Sequence, residues 1–205
     1  MEISAKTPMR EDAFLLDENK KIELIEQHFK EIMNVLGLDI TDDSLKDTPG
    51  RVARMYVNES FWGLNPKNKP RVTLFQNKYN YKQMVIEKDI SFYSNCEHHF
   101  VPFMGKVHIG YISGGSVVGL SKLNRIVDYY SKRPQVQERL TIQIGNELME
   151  ALQTEDVAVV IEAKHLCVSS RGIKDDTSIT TTSALFGQFL DMDTRSEFLR
   201  LIGKY

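Results

Sequence analysis

Cysteine is scarce: the chain has two in 205 residues. That excludes a fold stapled by disulfides, and in a reducing compartment two thiols read as metal ligands or catalytic groups rather than as a bridge. Long apolar runs are missing too. No stretch approaches the roughly 20 residues that cross a bilayer, and residues 1–17 are polar, without the apolar segment of a signal peptide. The expectation is a cytoplasmic protein that does not enter membranes. Nor is there an excess of charge of one sign. The formal net charge is -2, so no global field recruits nucleic acid or an anionic surface, and a bound polyanion needs a local cluster of cations. Repeats and low-complexity tracts are absent. With 41% hydrophobic and 26% charged residues, the composition suits one globular unit with a small helical extension.

Periodicity organises what is present. Residues 1–17 have none and are expected to form a flexible arm. From Lys20, the positions Ile22, Ile25, Phe29, Ile32, Met33 and Leu36 recur at three and four, one face of a helix that Gly37 stops. Asp47-Thr48-Pro49 opens a second helix through Arg51 to Trp62. Residues 18–70 thus read as an N-terminal helical region ending in a Pro66–Pro70 connector. Beyond it, Met84 to Phe92 and Val107 to Tyr111 are strand-like, and Gly114-Gly115 is a turn. Leu123–Tyr130 and Val136–Leu152 read as helices, Val157–Ala163 as a strand, Ser183–Leu190 as another, and Asp193 starts a terminal helix. Paired strands separated by helices predict an α+β fold with antiparallel pairs, not a doubly wound parallel sheet. The hydroxyl-rich stretch from Thr177 to Ser183 reads as an edge or interface strand without chemistry of its own.

Metal-capable residues are clustered. Both cysteines and three of the five histidines fall in Cys96-Glu97-His98-His99 and His165-Leu166-Cys167. Cys96 and His99, three apart in a turn, can face one ion, and Cys167 can join from a neighbouring strand. Two thiolates and an imidazole suit zinc, and three protein ligands leave a fourth position for water, as in a catalytic site. Zinc lowers the pKa of such a water towards about 7. His98 and His165 are left over, each beside a ligand, and imidazole is the side chain suited to moving protons near neutral pH. Other readings stand beside this one. His98 or His165 could complete a structural Cys2His2 site, Cys167 could be an inert buried thiol, or Glu97 could serve a nucleobase deaminase. The His-x-Glu and Pro-Cys-x-x-Cys strings of that last class are absent.

A second cluster suggests an anion. Gly119-Leu-Ser-Lys-Leu-Asn-Arg125 opens a helix, with Ser121 as the expected cap and Lys122 and Arg125 on one side. Exposed N–H groups and two cations form a phosphate cradle, though a capped, solvated helix start has the same appearance. Ser169-Ser170-Arg171-Gly172 puts another cation close to Cys167. Glu138, beside Gln137 in the first turn of the long helix, either complements the dipole or pairs with a guanine N1–H and amine.

Together, Cys-Glu-His-His at 96–99, Gly-Leu-Ser-Lys-Leu-Asn-Arg at 119–125, Arg-Pro-Gln-Val-Gln-Glu-Arg-Leu-Thr at 133–141 and His-Leu-Cys-Val-Ser-Ser-Arg-Gly-Ile at 165–173 resemble GTP cyclohydrolase I. The resemblance runs from about residue 20 to the end and does not cover the arm. It implies a tunnelling fold over residues 71–205, whose strand pairs and intervening helices combine across subunits into a barrel, and a homodecamer of two facing pentamers with active sites at subunit boundaries. Cys96, His99 and Cys167 would hold zinc, and His98 and His165 would be catalytic. Ser121, Lys122, Arg125 and Arg171 would hold the triphosphate of GTP, and Glu138 with Gln137 the guanine.

The chemistry so implied is hydrolytic opening of the guanine at C8, loss of C8 as formate, an Amadori-type rearrangement of the ribose, and closure to 7,8-dihydroneopterin triphosphate. His165 would give a proton to N7, with His98 and Ser121 as later proton carriers. Two other classes compete: a related tunnelling-fold enzyme on another pterin or deazapurine, and a non-catalytic zinc-stabilised binding module. The first uses three histidines or a cysteine nucleophile, and the second has no use for spare histidines.

Overall fold

The structure, a computed structural model, describes residues 5–203. Residues 1–4, the beginning of the expected arm, and residues 204–205 lie outside the described residues. Ala5 to Leu16 carries no helix or strand. Helix α1 (Glu18–Val35) starts where Asp17 accepts a hydrogen bond from the Lys20 N–H at 2.8 Å, and ends before Gly37, whose φ is +77°. Helix α2 (Thr48–Met55) begins at the expected Asp-Thr-Pro signal but stops earlier than expected. A π turn over Tyr56–Ser60 follows, and it places Tyr56 and Phe61 with ring centroids 5.3 Å apart.

The C-terminal part is built on a five-stranded sheet in the order β5-β2-β3-β6-β7, made of β2 (Met84–Cys96), β3 (Pro102–Ile112), β5 (Pro134–Gln135), β6 (Val157–His165) and β7 (Thr180–Leu185). All neighbours are antiparallel except β5, which runs parallel to β2. A two-stranded ribbon joins β1 (Leu74–Gln76) to β4 (Ser116–Val118). Helices α3 (Leu120–Ser131) and α4 (Gln137–Leu152) cross between the strand pairs, α5 (Leu166–Ser169) is a single turn after β6, and α6 (Met192–Leu201) closes the chain. This is the α+β arrangement expected, antiparallel strand pairs with helices between them. The last strand lies earlier than expected, at Thr180–Leu185, because Gly187 (φ +54°) turns the chain into a short 3-10 segment through Leu190.

Period-two alternation along β6 explains the two cores. Val157, Val159 and Ile161 face α3 and α4, where Leu123, Ile126, Leu140, Ile144 and Leu148 are buried. Ala158 and Val160 face the other way, onto Phe189, Phe198 and Ile202. The four-residue spacing of Leu140, Ile144, Leu148 and Leu152 puts one stripe of α4 against the sheet. Each of these larger side chains contributes about 1.5–3 kcal/mol by leaving water.

The layout fixes what meets what. The end of β2, the start of β3, the start of α4 and the end of β6 share one end of the sheet, because Cys96 pairs with Gln135 and Phe103 with His165. The opposite end holds the start of β2, the β3–β4 turn, the start of α3 and the end of α4, since Met84 pairs with Ile112 and Gly114 approaches Gln153.

Candidate active site

Cys96 is the last residue of β2, and the chain turns there into a tight loop. The Cys96 N–H donates to the Val101 carbonyl at 2.9 Å, and the Phe100 N–H to the Cys96 carbonyl at 2.8 Å. Phe100 closes the loop with a φ of +52°. A non-glycine residue there is strained by about 1–3 kcal/mol, and its ring repays that by packing on Phe61 (5.1 Å) and Tyr56 (6.2 Å). The π turn therefore anchors the Cys96–Phe100 loop.

That loop brings His99 to Cys96, and β6 with α5 brings Cys167. The ligand-capable atoms of Cys96, His99 and Cys167 all lie within 4.8 Å of one another. Cys96 is buried, Cys167 half-buried and His99 exposed, so the group opens to one side. Burial, and next the adjacent Cys96 thiol, push the Cys167 pKa up. A divalent cation beside the sulfur would reverse that shift by favouring the Cys167 thiolate. The donor set fits a metal of borderline softness with nitrogen and sulfur ligands. Arg171 closes the rim: its Nη1 donates to His99 Nε2 at 2.9 Å and to the Cys167 carbonyl at 3.4 Å.

His165 stands next to this group, held from two sides. Its ring stacks on Phe103, its cross-strand partner, with centroids 4.6 Å apart and planes at 3°. Its Nε2 lies 2.8 Å from Gln137 Oε1. Gln137 is almost wholly buried, and its amide nitrogen faces the Ile161 and Thr180 carbonyls and Thr182 Oγ1 at 3.0–3.1 Å. With the NH2 committed to those acceptors, Oε1 accepts and His165 Nε2 donates, leaving Nδ1 with its lone pair free. Burial lowers the His165 pKa, partly opposed by the charge of Glu138. His98 is the exposed member, 64% accessible, with its Nδ1 3.7 Å from Cys96 Sγ.

A family model described as GTP cyclohydrolase I matches residues 25–203. The chain belongs to the GTP cyclohydrolase I family. The GTP cyclohydrolase 1 of Flavobacterium johnsoniae is 57% identical over 97% of this chain and 89% of its own. Those of Aeromonas salmonicida and Vibrio parahaemolyticus are each 52% identical over 95% of this chain and, respectively, 88% and 89% of their own. A solved structure of an archaeosine synthase, QueF-like, in the apo form overlaps 51% of this chain and 94% of its own at 19% identity, with a TM-score of 0.43.

The residues singled out from the cyclohydrolase motifs divide between the two ends of the sheet. Cys96, His98, His99, Gln137, Glu138, His165, Cys167 and Arg171 share the metal end. Gln137 turns inward onto His165, whereas Glu138, one residue on, is exposed. Ser121, Lys122 and Arg125 stand at the other end, in the first turns of α3. The helix cap there is Gly119 rather than Ser121, which sits inside the first turn, exposed, with its side chain directed to solvent rather than capping. Helix α3 returns towards Cys96 only at its C-terminal end. Ten residues at about 1.5 Å each place Ser121 about 15 Å further back along the axis. Within one chain the two groups lie at opposite ends of the sheet.

Sequence reasoning left three residues of this end without a role: Phe103, Thr182 and Arg139. Thr182 lies in the hydroxyl-rich stretch assigned no chemistry, yet it bonds Thr141 at 2.7 Å as well as Gln137. Glu97, weighed only as a deaminase acid, turns its carboxylate to Arg139. Glu97 and Arg139 lie inside the motifs, whereas Phe103 and Thr182 lie outside them and reach this end through strand register with His165 and Ile161.

Proposed function

We propose that this protein is a zinc-dependent, cytoplasmic GTP cyclohydrolase I, converting GTP and water to 7,8-dihydroneopterin triphosphate and formate at the head of folate or tetrahydropterin synthesis. The observation that carries the reading is the convergence of Cys96, His99 and Cys167 beside a buried, oriented His165 and an exposed Glu138, in a chain of that family.

Cys96, His99 and Cys167 hold the ion, whose contribution is Lewis acidity and a water acidified towards neutral pH. Glu138 accepts from the guanine N1–H and its amine, so the purine is presented edge-on from the first turn of α4. His165, neutral and with Nε2–H held by Gln137, exchanges protons at the purine through the open Nδ1. His98, exposed at the rim, serves the later ring-opening and rearrangement steps. Arg171 extends the rim as a phosphate contact. Fixing the substrate at both its guanine and its phosphates sets C8 against the metal end, and such positioning is worth about 7–11 kcal/mol at its upper reach.

Ser121, Lys122 and Arg125 complete the triphosphate site from another copy of the chain. With the α3 start about 15 Å back along its axis from the end that reaches Cys96, a neighbouring subunit is the better-placed donor of this cradle, with the barrel closing as sheets join edge to edge. A homodecamer satisfies this geometry.

The test is incubation of zinc-loaded protein with GTP, following formate and, after oxidation, fluorescent neopterin. Wild type yields both and Cys167→Ala yields neither. No formate from folded, zinc-bound wild type would overturn the reading in favour of another pterin or deazapurine substrate.

A further inference from the structure

Three consecutive residues open α4, and successive helical positions point about 100° apart. Gln137 turns into the sheet to hold His165, and Glu138 turns out. The third, Arg139, turns to the metal loop. Its side chain is 14% exposed, and its guanidinium is engaged through Nε and Nη2. Nε donates to Gln135 Oε1 at 2.9 Å, and Nη2 donates to the Pro134 carbonyl at 3.0 Å and to Glu97 Oε2. Gln135 is itself fully buried, with Nε2 on the Tyr130 carbonyl at 2.9 Å and on Gln143 Oε1 at 2.8 Å. The arginine therefore has a fixed seat before it meets the loop.

Glu97 is the residue between metal ligand Cys96 and His98. Its N–H already donates to the Gln135 carbonyl at 3.0 Å, so backbone and side chain both tie it to the segment that leads into α4. While Oε2 is on Arg139, Oε1 lies 3.8 Å from His98 Nε2. A surface ion pair does little for stability. This pair is largely screened from water and joins two elements that carry different parts of the site, and a guanidinium with three directed bonds fixes an orientation that a lysine cannot.

We propose that Glu97 and Arg139 are a positioning pair that locks the loop bearing Cys96, His98 and His99 to the helical turn bearing Gln137 and Glu138. The pair sets the distance between the metal and the guanine-binding carboxylate, and touches neither substrate nor metal. The inference rests on the cyclohydrolase reading given above. It differs from a purely structural role in what it predicts: the chemical step and the hold on the metal suffer, while GTP binding does not.

The experiment compares wild-type holoenzyme with Glu97→Gln, Arg139→Met and the double variant, reading kcat, KM for GTP, the rate of zinc loss to a chromogenic chelator, and the thermal midpoint. Each single variant is expected to lower kcat about tenfold and to speed zinc loss about tenfold, the scale of groups that orient metal ligands. KM should stay within about twofold. The double variant should be no worse than the worse single one, since either change breaks the same link. Unchanged kcat and zinc loss with only a lower midpoint would overturn the proposal, as would losses that multiply in the double variant. Should Arg139→Met fail to fold, the near-isosteric Glu97→Gln decides alone. Zinc loss is read without turnover, so an inactive wild type would count against the cyclohydrolase reading and leave the pair still tested.

Discussion

At one end of the sheet nearly every candidate side chain has a partner, and at the other the candidate cations stand alone. His165 is fixed by Phe103 and Gln137, Glu97 by Arg139, and Arg171 lies on His99. Among the described residues, Lys122 and Arg125 make no ion pair, and their helix start has no side-chain cap. The difference teaches how the two kinds of site are held. A metal centre must be organised before its ligand arrives, because thiols and imidazoles only a few ångströms off do not coordinate. A phosphate cradle needs only cations and free N–H groups on a rigid helix, since the anion itself completes the bonds.

The sharpest way to break this comparison is to damage the ends separately and mix them. Cys167→Ala and Lys122→Ala/Arg125→Ala should each be almost inactive. Co-assembled in one oligomer in equal amounts, they should regain activity at about a quarter of the sites, those pairing an intact metal end with an intact helix start from a different copy. If both ends of a site came from one chain, mixing would restore nothing. A null result with mixed oligomers verified by tag would sink the shared site.

Metal removal should separate the ends next. Exhaustive chelation is expected to abolish turnover and to raise amide exchange over residues 96–100 and 165–171, with zinc reversing both. Amides in the first turn of α3 should be unmoved, because that turn is joined to the metal end only through the length of its helix. Equal loosening of both segments would mean that the metal stabilises the whole fold, as the binding-module reading requires.

Much of this was readable from the chain. The β-branched run Val157–Ala163 reads as a strand and is one, buried on both faces, and the four-residue recurrence of Val136, Leu140, Ile144 and Leu148 reads as a helix whose Leu140, Ile144 and Leu148 lie in the core. The grouping of Cys96, His99 and Cys167 is legible because rare residue types are concentrated in two strings. What spacing could not carry is direction and distance. Gln137 and Glu138 are neighbours in sequence, yet one is buried against His165 and the other exposed. The cradle and the triad read as parts of one site, and only the strand registers show them at opposite ends. The second helix ran long in the reading because nothing local distinguishes Tyr56–Ser60 from α-helix; its π turn answers to the rings of Phe61 and Phe100, which are tertiary partners. The last strand lies earlier than its sequence signal because Gly187, at φ +54°, ends the extension that the threonine run begins.

The smallest effects sharpen the contrast through stability. Gln137→Met keeps the volume but leaves the Ile161 and Thr180 carbonyls and His165 Nε2 without their amide partner. Unsatisfied buried groups cost about 1–3 kcal/mol, so the thermal midpoint should fall together with activity. Lys122→Ala/Arg125→Ala should leave stability within about 0.5 kcal/mol, the range for surface changes away from any such feature, while turnover is nearly lost. Thermal melts of the two variants at equal zinc loading make the comparison. A large loss of stability in the α3 variant would show that its cations are engaged within the fold, and the idea that they wait for a ligand brought by another subunit would go with it.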